Sequence, residues 1–216
     1  MKIAIIGGTG EQGPGLAMRW ALAGEEIIIG SRQLEKAQRV AEEVKEQVPH
    51  GNVRGLENPN AAREGEVVVM TVPYSAHLST LGTIRDGVKG KIFIDVSVPL
   101  DSENPRRMKM PPQGSAAEEA QDFFGEETKV VAAFQNVSSH LLKDLHAQIE
   151  CDILICGNDR SAKMQVLELI KKIGLRGYDV GMAESARVVE GITSLLIGLN
   201  IRHKIRIAGI KITGIP

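Results

Sequence analysis

Lys2-Ile3-Ala4-Ile5-Ile6-Gly7-Gly8-Thr9-Gly10-Glu11-Gln12-Gly13-Pro14-Gly15-Leu16-Ala17 decides the fold. Ile3–Ile6 is a short apolar strand, and Gly8-x-Gly10-x-x-Gly13 follows at once and opens a helical pattern. In that setting each glycine has a task. The first permits the tight turn, the second lets a pyrophosphate approach the backbone, and the third lets helix and strand pack closely. Phosphates then sit at the helix N-terminus, where free N–H groups and the helix dipole attract negative charge. The stretch predicts a dinucleotide-binding strand–turn–helix with Gly8, Gly10 and Gly13 at the cofactor.

Outward from this unit the alternation continues. Apolar runs at Ile3–Ile6, Ile27–Ile29, Val67–Val72, Lys91–Asp95, Val130–Ala133 and Asp152–Cys156 are nearly continuous. That is the pattern of strands buried on both faces of a parallel sheet. Between them, Leu34, Ala37, Ala41, Val44 and Val48 recur at helical spacing and stop at Pro49 and Gly51, and residues 161–173 repeat the pattern. The fold class is therefore α/β, a Rossmann-like doubly wound parallel sheet with right-handed crossovers. Residues 97–128 hold four prolines and the basic residues Arg106, Arg107 and Lys109. A connection this long inside a compact domain is usually functional or mobile. Within it, Ser115 followed by Glu118 reads as a capping box opening a short helix to Phe124. Gly181 closes the α/β region, so residues 1–181 read as the nucleotide-binding domain and 182–216 as a small helical C-terminal domain. There, Ala183 to Ile201 reads as one helix with Val188, Ile192, Leu195, Leu196 and Leu199 on one side, ending in a basic, β-branched tail.

Composition narrows the function. The 216 residues suffice for one α/β domain plus a small appendage. Lys and Arg number 26 against 27 Asp and Glu, a formal net charge of −1. A chain so balanced has no global field for nucleic acid or an acidic membrane, so any anion is held locally. The longest apolar stretch near the C-terminus, Gly191 to Ile201, is too short to span a bilayer, and no secretory signal is seen at the N-terminus. Cys151 and Cys156 flank a short apolar run and, on a strand, point to opposite faces, too far apart for a disulfide. These features predict a reduced, cytoplasmic protein. With one Trp, two Tyr and four Phe, any flat ring must be walled largely by valines, prolines and backbone, with Tyr74 and Phe134 the aromatics placed to touch it.

The end of the second strand discriminates the nucleotide. An NAD-binding fold usually places Asp or Glu there to hold the ribose hydroxyls. This chain has Gly30-Ser31-Arg32, with Lys36 one turn on. A hydroxyl, a guanidinium and an ammonium suit a phosphate dianion, so Ser31, Arg32 and Lys36 predict NADP. Other strand ends should line the same crevice. They are Thr71-Val72-Pro73-Tyr74, Asp95-Val96-Ser97-Val98-Pro99 and Ala133-Phe134-Gln135-Asn136-Val137. Val72 and Val98 are placed to flank a nicotinamide, and Gln135 and Asn136 to meet a carboxamide or ring carbonyl or to cap the loop.

Catalytic equipment is otherwise sparse. His50, His77, His140, His146 and His203 are scattered, with no metal-ligand spacing, and each reads as a surface or core residue. No nucleophile motif is present, and the helix after Ala183 has no Lys to act as a base. Its Glu190 reads as a structural carboxylate or a partner for Arg187. Hydride transfer between two carbon carriers needs proximity and orientation more than acid–base groups. The pattern favours a second redox cofactor as partner and predicts neither a catalytic side chain nor a metal.

The chain resembles the NADPH-dependent reductases of coenzyme F420. The resemblance runs the whole length. It is carried by Gly7-Gly8-Thr9-Gly10-x-x-Gly13, Gly30-Ser31-Arg32 with Lys36, Thr71-Val72-Pro73 and Asp95-Val96-Ser97-Val98-Pro99. Gly114-Ser115-Ala116-Ala117-Glu118, Val131-Ala132-Ala133-Phe134, Ala186-Arg187-Val188-Val189-Glu190 and Gly209-Ile210-Lys211-Ile212-Thr213-Gly214 extend it beyond a generic nucleotide fold. It implies hydride exchange between NADPH and the deazaflavin ring of F420, a C-terminal domain completing the cleft, and a homodimer. It implies that Thr9, Gly10, Glu11 and Gln12 wrap the pyrophosphate, and that Val72, Val98 and Ala133 lie beside the nicotinamide. The same nucleotide signature would serve an NADPH-dependent reductase of a flavin, quinone or imine, or a non-catalytic NADP(H)-binding redox sensor.

Overall fold

The apolar runs assemble into one sheet. In the computed structural model, which describes residues 1–215, the strands are β1 (Lys2–Ile6), β2 (Glu26–Ser31), β3 (Val53–Glu57), β4 (Val67–Met70), β5 (Ile92–Asp95), β6 (Lys129–Ala132), β7 (Ile153–Gly157) and β8 (Gly177–Asp179). They lie in the order β3-β2-β1-β4-β5-β6-β7-β8. Chain reversal at β1 places the crevice between the ends of β1 and β4, the switch point where such sheets bind ligands. Two strands escape the sequence pattern. Edge strand β3 buries only Val53, and its Gly55 lies against the backbone of Ala37, while β8 has three residues.

Alternate residues of each strand feed opposite cores, which is why the runs are continuously apolar. Ile3, Ile5, Ile27 and Ile29 pack under α1 (Gly13–Leu22), α2 (Leu34–Gln47) and α7 (Arg160–Lys172). Ala4, Ile6, Ile28, Val68 and Met70 pack under α3 (Asn58–Glu64), α4 (His77–Ile84) and α5 (Ala116–Phe124). Each fully buried Ile, Leu or Val contributes about 1.5–3 kcal/mol, so an aliphatic core holds the layers without many aromatics. Cys151 belongs to the first core and Cys156 to the second, and both thiols are free, as the strand reading required.

The all-parallel expectation is corrected at one pair: β7 runs antiparallel to β6. The connection holds only the five-residue helix α6 (Ser139–Lys143). It stays at the carboxyl end of the sheet, where Gly15 of α1 has no room for a Cβ beside Leu142. So β7 starts at the end where β6 stops, and β8, parallel to β7, also runs away from the crevice. The last helix, α8 (Ala186–His203), then climbs back to the carboxyl edge. Ala186 and Val189 join the second core, and Thr193 Oγ1 donates to Gln135 O beyond the end of β6. The tail returns to the start of β7, where Asp152 N donates to Ile210 O and Ile212 N to Asp152 Oδ2.

The apolar residues read on one side of α8 divide between core and solvent: Leu196 is buried and Ile192 packs against the second core. Val188, Leu195 and Leu199 are 68%, 67% and 42% exposed, whereas Val189, Glu190, Ser194 and Leu196 are buried. The helix meets the sheet on one narrow line, and its wider apolar face points outward.

Candidate active site

The glycine loop is built from β1 outward. Gly7, with φ +68°, takes the left-handed turn, so the tight-turn role falls one residue before the Gly8 expected from the motif. Gly8 N donates to Ile5 O at 3.1 Å and Gly30 O at 2.9 Å, tying the loop to β1 and β2. Gly13 is the close-packing glycine, since a Cβ there would lie 2.5 Å from Gly8 Cα. Gly10 is exposed, and a Cβ there would come no nearer than 3.4 Å to a neighbour, so its backbone faces open space. Asn58 Oδ1, at the start of α3, accepts from Gly7 N at 3.2 Å and supports the loop from beneath. Glu11 pairs with Lys143 at 2.9 Å, and Gln12 Nε2 donates to Phe134 O at 2.8 Å. Both side chains turn toward the segment after β6, leaving their backbone at the head of α1.

A cavity of about 250 Å³ opens beside this loop. It brings together Thr9, Gly10, Ser31, Arg32, Lys36 and Val72. Ser31 is buried at the end of β2, while Arg32 and Lys36 are exposed on the turn and the first turn of α2. Glu57 stands opposite Ser31 in the β2–β3 register but does not line the cavity. The basic end of the site is therefore a concave place for a phosphate, and the open backbone at Gly10 fits a dinucleotide.

The ends of β4, β5 and β6 form the floor beyond. Val72 presses on the loop so closely that a side chain on Gly7 would collide with its Cγ1. Val98 is half-buried and directly follows Ser97, whose Oγ donates to Val72 O at 3.4 Å. Ala133 is fully buried, and its N–H donates to Asp95 O at 3.2 Å, so it supports the floor rather than lining a cavity. Phe134 is corrected as a ring-contact residue. It is 0% exposed and stacks edge-on against Trp20, and its φ of +71° is a strained left-handed conformation. The amide pair separates in role. Asn136 is structural, donating to Asp152 O at 2.7 Å. Gln135 Nε2 donates to Asp95 O at 2.7 Å, but its buried Oε1 has no partner. A second cavity, of about 300 Å³, opens here between Gln135, Ser138 and His140 on one side and Thr193, Asn200 and Arg206 on the other.

Beneath the floor lies a polar cluster that the sequence reading passed over. His77 is fully buried, with Nε2 2.7 Å from Asp95 Oδ2 and Nδ1 2.7 Å from Glu119 Oε2. Tyr74 OH donates to Glu119 Oε1 at 3.2 Å, and Asp95 Oδ1 accepts from Ser97 N at 2.9 Å. Burial opposes the charge on His77, but Asp95 and Glu119 outweigh it, and the imidazole is pushed up to about 9. Burial pushes the Tyr74 phenol up strongly, with the Glu119 charge adding. Glu190 accepts from Ala116 N at 2.9 Å and Ala117 N at 3.1 Å, closing the N-terminus of α5. Burial pushes it up to about 8, against those two N–H bonds. Its expected alternative partner, Arg187, instead pairs with Glu118 at 2.7 Å. Ser115 caps α5 by accepting from Glu118 N, as the capping box required. Two signals pointed to His77: it occupies the buried stripe of α4 with Thr80, Leu81 and Ile84, and Asp95 ends an apolar strand where a carboxylate needs a partner.

Known proteins resemble this chain over its full length. Residues 2–99 match the family model described as NADP oxidoreductase, coenzyme F420-dependent. The F420-dependent NADP reductase of Methanocaldococcus jannaschii is 47% identical over all of this chain and 99% of its own length. That of Methanothermobacter marburgensis is 48% identical over the full length of both. The chain belongs to the F420-dependent NADP reductase family. The crystal structure of a proposed F420-dependent NADP reductase from Arthrobacter superposes with a TM-score of 0.84 at 28% identity, covering 99% of this chain and all of that one. An F420-dependent NADP reductase has to bring two cofactors together, and this fold offers two cavities along the carboxyl edge of the sheet, one on each side of the β4–β6 floor.

Proposed function

We infer that the protein is an oxidoreductase that transfers a hydride between NADP(H) and coenzyme F420. When bound, NADPH supplies the hydride and the deazaflavin ring accepts it. The supporting observation is the cavity lined by Ser31, Arg32 and Lys36 beside the glycine loop, in a chain related over its full length to reductases of that name.

The chain's residues divide the work. The backbone of Thr9, Gly10, Glu11 and Gln12, with Gly8 and Gly13 shaping the loop, holds the pyrophosphate at the head of α1. Ser31, Arg32 and Lys36 hold the 2′-phosphate with charge-assisted hydrogen bonds. Val72 and Val98 line the nicotinamide position, with Ala133 supporting them from below. Their apolar surface excludes water and holds a ring by shape, which is what hydride transfer requires. The unpaired Oε1 of Gln135 is an acceptor for the N–H edge of the second ring, and Arg206 a cation for its anionic tail. On this reading the protein acts by orienting the two rings.

The architecture supports two parts, residues 1–181 binding NADP and 182–216 completing the cleft through α8. The outward apolar face of α8, with Val188, Leu195 and Leu199, supports a homodimer. Two free buried thiols support a reducing, cytoplasmic setting.

Mixing the protein with NADPH and F420 tests the reading. Visible absorption of the deazaflavin should bleach at catalytic protein levels, and recover with F420H2 and NADP+. No change in absorption, with NADPH bound, would refute it.

A further inference from the structure

Both ring nitrogens of His77 lie 2.7 Å from carboxylate oxygens. An ionised carboxylate only accepts, and a neutral imidazole donates from one nitrogen alone. Two such short contacts therefore require either an imidazolium between two carboxylates, or a neutral imidazole with one carboxyl protonated. The triad of His77, Asp95 and Glu119 carries a net charge of −1 in both cases. Among the described residues, no Lys or Arg forms an ion pair with any of the three. Arg187 pairs with Glu118, the neighbour of Glu119 in the chain, at 2.7 Å.

The charge sits under the floor of the site. Asp95 Oδ1 holds Ser97 N, one residue before Val98, and Ser97 Oγ holds the carbonyl of Val72. His77 and Asp95 are 0% exposed, so water screens the triad poorly. We propose that the His77–Asp95–Glu119 triad is a fixed negative charge beneath the nicotinamide position that favours the oxidised, cationic ring over the reduced, neutral one. The inference rests on the placement of the nicotinamide against Val72 and Val98. It gives the buried cluster a task that burial alone does not explain, and it suits an enzyme that takes NADP+ as substrate. The three residues are positioning residues, since none of them faces the cleft.

Four elements face His77 or the charges around it. The turn before α4 presents Tyr74, β5 presents Asp95, α5 presents Glu119, and α8 presents Glu190. As pH rises, loss of the His77 proton takes the triad to −2, and ionisation of Glu190 adds charge of the same sign. Preference for the cationic ring should then grow. The 2′-phosphate is common to both nucleotides and cancels in their ratio.

The test is the dissociation constants of NADP+ and NADPH, measured by titration calorimetry without F420. In the unmodified protein, the ratio Kd(NADPH)/Kd(NADP+) should rise between pH 7.5 and 9.5. In Asp95→Asn/Glu119→Gln it should fall by roughly three- to tenfold at pH 7.5, the scale of one unit charge acting through protein. If both constants move together, so that the ratio is flat with pH and unchanged in the variant, the inference is overturned. The pH series on the unmodified protein stands even if the variant fails to fold. If the unmodified protein binds neither nucleotide, the reading of the nicotinamide site falls, and this inference with it.

Discussion

Replacing Asp95 by Asn and Glu119 by Gln keeps the shape of the buried cluster but removes the two anions that hold a proton on His77. The imidazole stands at about 9 in the fold against 6.5 in an unperturbed chain. Its folded-state value is raised, so the stability it adds is complete below about 6.5 and is lost as the pH rises toward 9. That gap corresponds to about 3 kcal/mol, a large part of the ~5–15 kcal/mol that holds a typical domain. The ring is fully buried, so solvent screening does not reduce the figure much. Denaturant unfolding at pH 6.5, 7.5, 8.5 and 9.5 measures it. The unmodified protein should lose about 3 kcal/mol more than the double variant across that range, seen as a fall in midpoint at constant slope. Glu190, also raised, loses its contribution between 4.5 and about 8; its main cause, burial, is common to both proteins, while the smaller push from Asp95 is absent from the variant. Parallel stability curves for the two proteins would refute the charged cluster.

Other outcomes follow from the site and the fold. Arg32→Ala should weaken NADPH by about 1.5–3 kcal/mol and leave NADH nearly unchanged, as measured by titration calorimetry, because only NADPH presents a 2′-phosphate. Gly13→Ala places a Cβ 2.5 Å from Gly8 Cα. It should lower the thermal midpoint and abolish NADPH binding, with thermal denaturation and nucleotide titration as the checks. Leu195→Glu puts a charge on the exposed face of α8 and should shift the proposed dimer to monomer in sedimentation without unfolding the chain, whose core it does not enter.

What could be read in the sequence was local. The strand–turn–helix of the glycine loop, the stripe of α2 from Ala37 to Val44 and the Ser115–Glu118 cap each depend on residues within one turn or one strand, and they formed close to the reading, with the tight turn moved from Gly8 to Gly7. Ser31, Arg32 and Lys36 came together because strand, turn and helix are contiguous there. What was missed depends on distant partners. His77, Asp95 and Glu119 come from three elements, and nothing near any one of them in sequence announces the other two. The reversal of β7 depends on where α6 packs, and the outward face of α8 on how narrow its contact with the sheet is. Phe134 sat at the expected strand end, but its left-handed backbone turned the ring into the core toward Trp20.

Direct hydride transfer between the two cofactors is the central claim, and an isotope label tests it most directly. NADPH carrying two deuterium atoms at the nicotinamide C4 is mixed with the protein and F420 in ordinary water, and the reduced deazaflavin is weighed by mass spectrometry. Transfer on the Val72–Val98 floor predicts one deuterium in each reduced deazaflavin. Reduced deazaflavin without deuterium, or NADPH oxidised while F420 stays unchanged, would contradict the account.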